Sequence, residues 1–152
     1  MILIKENLMS NKKLLTTAIA YANGAPHIGH AFEFVTADTL SRFLKKDNDV
    51  FFVTGMDEHG QKIQEKAKEN NLPVQAFIDQ YAEKFKSLDA RMGVEYDFFV
   101  RTSDKEKHYK GAIALWNKLK ENGDLEKRTY TALYCIGCES FKTEKDLNEK
   151  GE

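Results

Sequence analysis

The chain is poor in the residues that would cross-link it or anchor it in a membrane. Its 152 residues include only two cysteines and two prolines, and no apolar run approaches the roughly 20 residues that a membrane-spanning helix needs. The two cysteines form a single close pair, whereas the disulfide framework of a secreted protein needs cysteines spread along the chain. The first residues also lack the basic, apolar and small-residue order of a signal peptide. These absences predict a cytoplasmic protein with no membrane partner.

Acidic and basic residues are also balanced. The sequence has 23 basic and 24 acidic residues, for a net charge of −1. Many nucleic-acid-binding proteins carry a strong basic field, so this balance argues against DNA as a partner and against tight RNA binding by this segment alone. With 41% hydrophobic and 31% charged residues, the composition is that of a globular domain with a core.

The order of periodic segments predicts an α/β fold with a parallel sheet. A β-branched run, a loop ending in Pro26, a helix and a second apolar run form a βαβ unit, which implies a right-handed crossover. The expected strands cover residues 14–20, 49–55 and 97–101, and the expected helices 29–46, 61–71, 74–92 and 104–122. A capping box of Ser103 and Glu106 is expected to begin the last of these helices. The third is expected to face the core with a stripe spaced by four, four, three and four residues: Phe77, Tyr81, Phe85, Leu88 and Met92. We expect an N-terminal extension over 1–12, a nucleotide-friendly unit over 13–123, and a further unit over 124–152.

Two histidines follow the first predicted strand, in His27-Ile28-Gly29-His30. Ligands of open α/β sheets bind beyond the carboxyl ends of strands, and a helix start there offers unpaired N–H groups that suit phosphate. Two imidazole donors on the first turn could stabilise charge on an α-phosphate, and Gly29 would leave room for a ligand. The alternative is a pair of solvated histidines with no ligand.

An acidic group, Asp57, ends the second predicted strand in Thr54-Gly55-Met56-Asp57-Glu58-His59-Gly60. Because parallel strands end at the same edge of a sheet, Asp57 is expected beside the histidine loop, where a carboxylate could hold an ammonium group. The alternative is that Asp57 caps the helix that follows.

The cysteine pair, Cys135 and Cys138, has the spacing of half a tetrahedral zinc site. A structural zinc needs four ligands, and the four histidines lie far upstream. The alternatives are a redox pair, which normally opens a helix after a βαβ strand, or two buried free thiols.

The motifs together resemble a known family. The segment from Thr16 to His30 resembles the first signature of class I aminoacyl-tRNA synthetases, and Thr54 to Ile63 is similar to the methionine members of that class. The run Tyr134-Cys135-Ile136-Gly137-Cys138-Glu139-Ser140-Phe141 resembles the zinc knuckle in their connective insert. The resemblance extends from about residue 13 to the last residues of the chain. It implies a partial Rossmann-like catalytic domain followed by the start of a zinc-knuckle insert.

The resemblance also implies roles for individual residues. His27 and His30 would contact ATP and the adenylation transition state, with Gly29 under the adenosine. Ile19 and Tyr21 would line the methionine pocket, and Asp57 would hold the methionine ammonium. Cys135 and Cys138 would be two of four zinc ligands. The implied activity is ATP- and Mg²⁺-dependent attachment of methionine to tRNA(Met) through methionyl-adenylate.

The sequence departs from the family pattern in two respects. Family members carry proline at the position of Ala18 or Ala20, and neither residue is proline here. The lysine-rich second signature, the anticodon-binding domain and the other two zinc ligands are not among the 152 residues. We therefore expect a fragment of a longer enzyme that by itself retains no zinc and shows at most trace adenylation.

Overall fold

The structure is a computed structural model that describes residues 11–147. Most of the extension predicted for residues 1–12 lies outside the described residues, although Lys12 already belongs to the first strand. Within the described part, no helix is long and apolar enough to cross a membrane.

A parallel sheet forms the centre of the fold, as predicted. Its strands are β1 (Lys12–Thr16), β2 (Ala20–Tyr21), β3 (Asp49–Asp57) and β4 (Phe98–Arg101). All three other strands pair in parallel with β3. Val53 pairs with both β1 and β4, and Met56 with both β2 and β4, so β1 and β2 follow one side of β3 and β4 follows the other. The carboxyl ends of β2, β3 and β4 therefore meet at one edge.

The strand predicted over 14–20 is interrupted at residues 17–19. There the Thr17 hydroxyl donates to the carbonyl of Ala18 at 2.7 Å and lies 2.8 Å from the Thr54 hydroxyl. The N–H of Ala18 donates to Glu33 Oε1 at 2.8 Å instead of joining the sheet. A proline at position 18 would lack that N–H, so the departure from the family pattern adds a contact between the interruption and the first helix.

Four helices follow the predicted order. They are α1 (Ile28–Leu44), α2 (Gln61–Glu69), α3 (Val74–Met92) and α4 (Tyr109–Glu121). The prediction that α4 begins at 104 with a Ser103–Glu106 capping box was wrong. The Ser103 hydroxyl donates to the Glu58 carboxylate, and Asp104 Oδ1 accepts the N–H groups of Glu106 and Lys107 in a turn before the helix.

The core lies between the sheet and α1 to α3. Its largest buried members include Phe34, Phe52, Phe77 and Phe85. The predicted core-facing stripe of α3 is confirmed at Phe77 and Phe85, whereas Met92 at its end is 49% exposed. The α1 helix is also confirmed, and its Phe34 faces the core, but two other large apolar residues of the helix point away from it. Phe32 is 75% exposed and Phe43 is 64% exposed, and both line an open groove of about 770 Å³ along the outer face of α1.

The last described residues form a separate antiparallel pair of strands. These are β5 (Leu133–Cys135) and β6 (Ser140–Lys142), followed by a 3-10 turn over Glu144–Asp146. The preceding residues 124–132 form no strand or helix. The domain boundary near Gly123 remains a prediction, and residues 148–152 of the predicted insert lie outside the described part.

Candidate active site

The carboxyl edge of the sheet brings Tyr21 and Asp57 side by side. They are paired in the register of β2 and β3, and the N–H of Ala22 donates to the Asp57 carbonyl at 2.9 Å. Both side chains are half-buried. Ile19, just before β2, is 38% exposed. A phenol and a carboxylate therefore lie side by side at the strand ends, and an apolar side chain precedes the phenol by two residues.

Asp57 is the last residue of β3 and does not cap α2. The residue at the start of α2 is Gly60, and no side chain caps that helix end. The capping alternative is therefore wrong, and the Asp57 carboxylate remains available at the sheet edge. Thr102 lies at the end of β4, and its hydroxyl reaches Asp57 Oδ1 at 3.4 Å.

The two histidines form a reciprocal cap at the start of α1. His27 Nδ1 accepts the N–H of Gly29 at 3.1 Å, and His30 Nδ1 accepts the N–H of His27 at 3.2 Å. The rings stack with their centroids 3.9 Å apart. Because each Nδ1 accepts a hydrogen bond, each neutral ring carries its proton on Nε2. The sequence prediction that both histidines share one face of the first turn is confirmed.

Gly29 leaves room for the His27 ring of the histidine cap. A Cβ at this position would lie 3.0 Å from both Cε1 and Nδ1 of His27. A side chain would therefore push the His27 ring away from the helix end. The sequence interpretation assigned the space above Gly29 to a ligand, whereas the structure places the His27 imidazole against it.

His30 is held more firmly than His27. Its ring packs edge-on against the buried Phe85 of α3, with centroids 4.9 Å apart. Burial, and next the neighbouring His27, lower the pKa of His30. The neutral ring that donates through Nε2 is therefore the favoured form near neutral pH.

A buried ion pair between Glu58 and Arg101 stabilises the chain directly after Asp57. The side chain of Glu58 is fully buried, and its Oε1 accepts from Arg101 Nε at 2.6 Å. Arg101 Nη2 also lies 2.7 Å from Asp79 Oδ1 on α3. The N–H of Glu58 donates to the Thr102 hydroxyl at 2.7 Å. This network ties the ends of β3 and β4 to α3, and so fixes where the Asp57 backbone lies.

The phenol of Tyr21 is also fixed. Its hydroxyl donates to Glu139 Oε1 at 2.6 Å. Burial, and next the Glu139 carboxylate, raise the pKa of Tyr21 well above its usual range. The phenol therefore stays protonated at neutral pH and acts as a donor.

Sequence reasoning missed Glu58, Arg101, Thr102 and Glu139 as parts of this site. Of these residues, Glu58 was the easiest to predict from the sequence, because a carboxylate directly after a buried strand needs a cation or several N–H donors as partners. The partners of Glu58 and Tyr21 come from segments 43 and 118 residues away, and no local pattern indicates such distant pairs.

Cys135 is the last residue of β5, and Cys138 lies in the turn between β5 and β6. Cys135 is half-buried and Cys138 is exposed, so the interpretation as two buried thiols is wrong. The turn is followed by a strand, whereas a thioredoxin-like redox pair opens a helix. Hydrogen bonds from the Cys138 thiol and N–H lower the pKa of Cys135. Among residues 11–147, no group of three or more potential metal ligands surrounds the pair.

A parallel sheet with a histidine-capped helix start and a carboxylate at the same edge is the architecture of a Rossmann-like α/β unit. The chain belongs to the family described as class I tRNA synthetases (M), whose family model matches residues 13–150. The resemblance inferred from the motifs is therefore confirmed.

Curated relatives of the chain are methionine–tRNA ligases. The enzyme of Thermotoga maritima is 42% identical over 142 residues, which cover 93% of this chain and 22% of that protein. The probable mitochondrial enzyme of Dictyostelium discoideum is 40% identical over 139 residues, covering 91% of this chain and 24% of that protein. The chain thus spans about a quarter of the length of these relatives.

A solved structure shares the fold. The methionyl-tRNA synthetase of Mycobacterium tuberculosis, in complex with methionyl-adenylate, superimposes with a TM-score of 0.84 at 33% sequence identity. The match covers 90% of this chain and 27% of that chain. The predicted α/β fold with a Rossmann-like parallel sheet is confirmed.

Proposed function

We propose that the chain provides the methionine- and ATP-binding part of an enzyme that attaches methionine to tRNA(Met) through methionyl-adenylate. The observation that carries the proposal is the pairing of Tyr21 with Asp57 at the sheet edge from which the histidine-capped helix also starts. The relatives named as methionine–tRNA ligases support the same substrates.

Asp57 is the proposed partner of the methionine ammonium. Its carboxylate is half-buried at the strand end, and among the described residues it has no ion-pair partner. A charge-assisted hydrogen bond from an ammonium group would satisfy it. Ile19 and the ring of Tyr21 would provide the apolar wall for the thioether side chain.

His27 and His30 are the proposed donors to the phosphates of ATP. Both Nδ1 atoms are occupied by backbone N–H groups, so the Nε2–H groups are directed away from the helix end. The first turn of α1 adds unpaired N–H groups and a partial positive charge. Negative charge that develops at the α-phosphate during adenylate formation would be stabilised there. We place the adenosine against the His27 ring, which itself lies over Gly29.

The proposal includes two metal ions, Mg²⁺ and Zn²⁺. Mg²⁺ would accompany ATP as its counter-ion. Zn²⁺ would be held by Cys135 and Cys138 in the longer enzyme and would need two further ligands, because the described residues offer only this pair. The tRNA partner and a cytoplasmic location complete the proposal.

Methionine binding tests the role of Asp57. Equilibrium dialysis with labelled methionine should show that Asp57→Asn weakens binding by about 10- to 100-fold, because a hydrogen bond to a charged group contributes roughly 1.5–3 kcal/mol. Asp49→Asn, at the opposite end of the same strand, is the matched control and should leave binding unchanged. Equal binding by both variants would refute the assignment.

Nucleotide binding tests the histidines in the same way. His30→Ala should weaken the binding of ATP, whereas His108→Ala, beside the start of α4, should not. In the full-length enzyme we expect His30→Ala to lower the adenylation rate by about 10²–10³-fold, the effect of losing one such donor. A loss of methionine binding with unchanged ATP binding would contradict this assignment.

A further inference from the structure

The turn between β5 and β6 reaches the proposed methionine site through one side chain. Glu139 directly follows Cys138, and its Oε1 accepts the Tyr21 hydroxyl at 2.6 Å across 118 residues of sequence. The same oxygen lies 3.4 Å from the N–H of Lys62, in the first turn of α2. One carboxylate therefore connects the cysteine turn, the end of β2 and the start of α2.

The surrounding backbone is shaped for this contact. Gly60 has a φ of 137°, and a Cβ there would collide with the Tyr21 hydroxyl and would lie 2.6 Å from Glu139 Oε1. Glu139 itself has a φ of 51°, a left-handed conformation that is uncommon for a residue with a side chain. The N–H of Glu139 closes the turn by donating to the Ile136 carbonyl at 3.2 Å. The turn around the cysteines thus determines where this carboxylate points.

We infer that Glu139 is a positioning residue of the amino-acid site, which holds the phenol of Tyr21 in place from the cysteine turn. The inference rests on the proposed function, since it assumes that Tyr21 lines the methionine pocket. The bond uses the single O–H of Tyr21, so the phenol has no donor left for a ligand and offers its ring and an oxygen that can only accept. A ring fixed in this way suits a thioether, which makes favourable sulfur–aromatic contacts, better than a polar side chain.

A double-mutant cycle with labelled methionine tests the inference. Glu139→Ala and Tyr21→Phe should each weaken methionine binding roughly tenfold, the loss expected for one charge-assisted hydrogen bond. The double variant should bind no more weakly than either single variant, because both changes break the same bond. Glu139→Gln keeps an acceptor oxygen and should restore binding to within about threefold of the wild type. Glu126→Ala, at an exposed acidic residue before the hairpin, is the control and should have no effect.

Amide exchange provides a second readout that needs no ligand. The N–H of Lys62 should exchange faster in Glu139→Ala and in Tyr21→Phe than in the wild type, and Glu139→Gln should restore its protection. Additive losses in the double variant, or a Glu139→Gln variant as weak as Glu139→Ala, would overturn the inference. So would Lys62 exchange that none of these changes affects.

The Asp57→Asn variant separates failure of this inference from failure of the proposed function. If Asp57→Asn weakens methionine binding and Glu139→Ala does not, the methionine site stands and the positioning role is wrong. If neither variant affects binding, or the wild type binds no methionine, the proposed function fails and the positioning role fails with it. Lys62 exchange then still shows whether the Tyr21–Glu139 bond forms.

Discussion

Helices α3 and α4 have similar amphipathic sequences but very different surroundings. Five residues of α3 are buried, whereas α4 has none. Ile113, Leu115 and Trp116 of α4 are each at least 55% exposed. Helix α3 packs against α1 and α2 and is tied to the sheet by Asp79. An apolar stripe therefore stabilises the fold only where it packs against a second surface. Four predictions test this contrast.

The largest effect is expected in the core face of α3. Phe85→Ala should lower the free energy of unfolding by about 3–5 kcal/mol, because it leaves a cavity beneath His30 in addition to the lost burial. Urea denaturation followed by circular dichroism measures the change. A loss below about 1 kcal/mol would show that α3 is no more firmly packed than α4.

The next effect depends on pH and again concerns α3. Asp89 is 1% exposed, and burial raises its pKa from 3.8 to about 6. An acid whose folded pKa is raised binds more protons in the folded state, so stability falls as pH rises from about 4 to above 6. Asp89→Asn should remove this penalty, by up to about 3 kcal/mol at pH 8 and by almost nothing at pH 4.

Asp79→Asn is the matched control for Asp89 on the same helix. Its carboxylate pairs with Arg101, and its pKa is lowered. That variant should therefore lose stability at neutral pH rather than gain it. Urea titrations at several pH values compare the two, and the same trend in both variants would refute the argument.

A smaller effect separates the helix starts. His27→Ala should cost about 1 kcal/mol, because α1 loses a side chain that accepts a backbone N–H at its first turn. His108 precedes α4 and makes no such bond, so His108→Ala should be nearly neutral. Equal losses in thermal unfolding would show that the histidine cap contributes nothing to stability.

The smallest effect belongs to α4. Trp116 is 60% exposed, and Trp116→Ala should change the free energy of unfolding by no more than about 0.5 kcal/mol. Urea denaturation provides the measurement. A loss comparable to that of Phe85→Ala would mean that α4 is buried in solution and would remove the contrast.

Local patterns predicted the elements but not all of their surroundings. The spacing of Phe77 and Phe85 placed α3 and its buried face correctly. The apolar residues of α1 indicated a helix, yet Phe32 and Phe43 lie outside the core, because periodicity does not show which surface a stripe meets. The start of α4 was missed because Ser103 binds Glu58, a distant residue that directly follows β3.

The contacts of the candidate site also fall into two groups, those that local patterns predict and those that they do not. Tyr21 and Asp57 lie side by side because two parallel strands end together, and the order of the elements was enough to predict this. The roles assigned to Ile19, Tyr21, His27, Gly29, His30 and Asp57 remain predictions. The contacts of Glu58 with Arg101 and of Tyr21 with Glu139 depend on how distant segments meet in three dimensions, which a single sequence does not reveal.

The central position of β3 has a consequence for how the protein folds. Within residues 11–147, each of the other three strands of the parallel sheet pairs only with β3, so this part of the sheet cannot form before residues 49–57 are available. During synthesis β1, β2 and α1 leave the ribosome before β3, so the two strands lack their pairing partner at that stage. Because loop closure must precede such distant pairing, the sheet is expected to form late and together, with β3 as its nucleus.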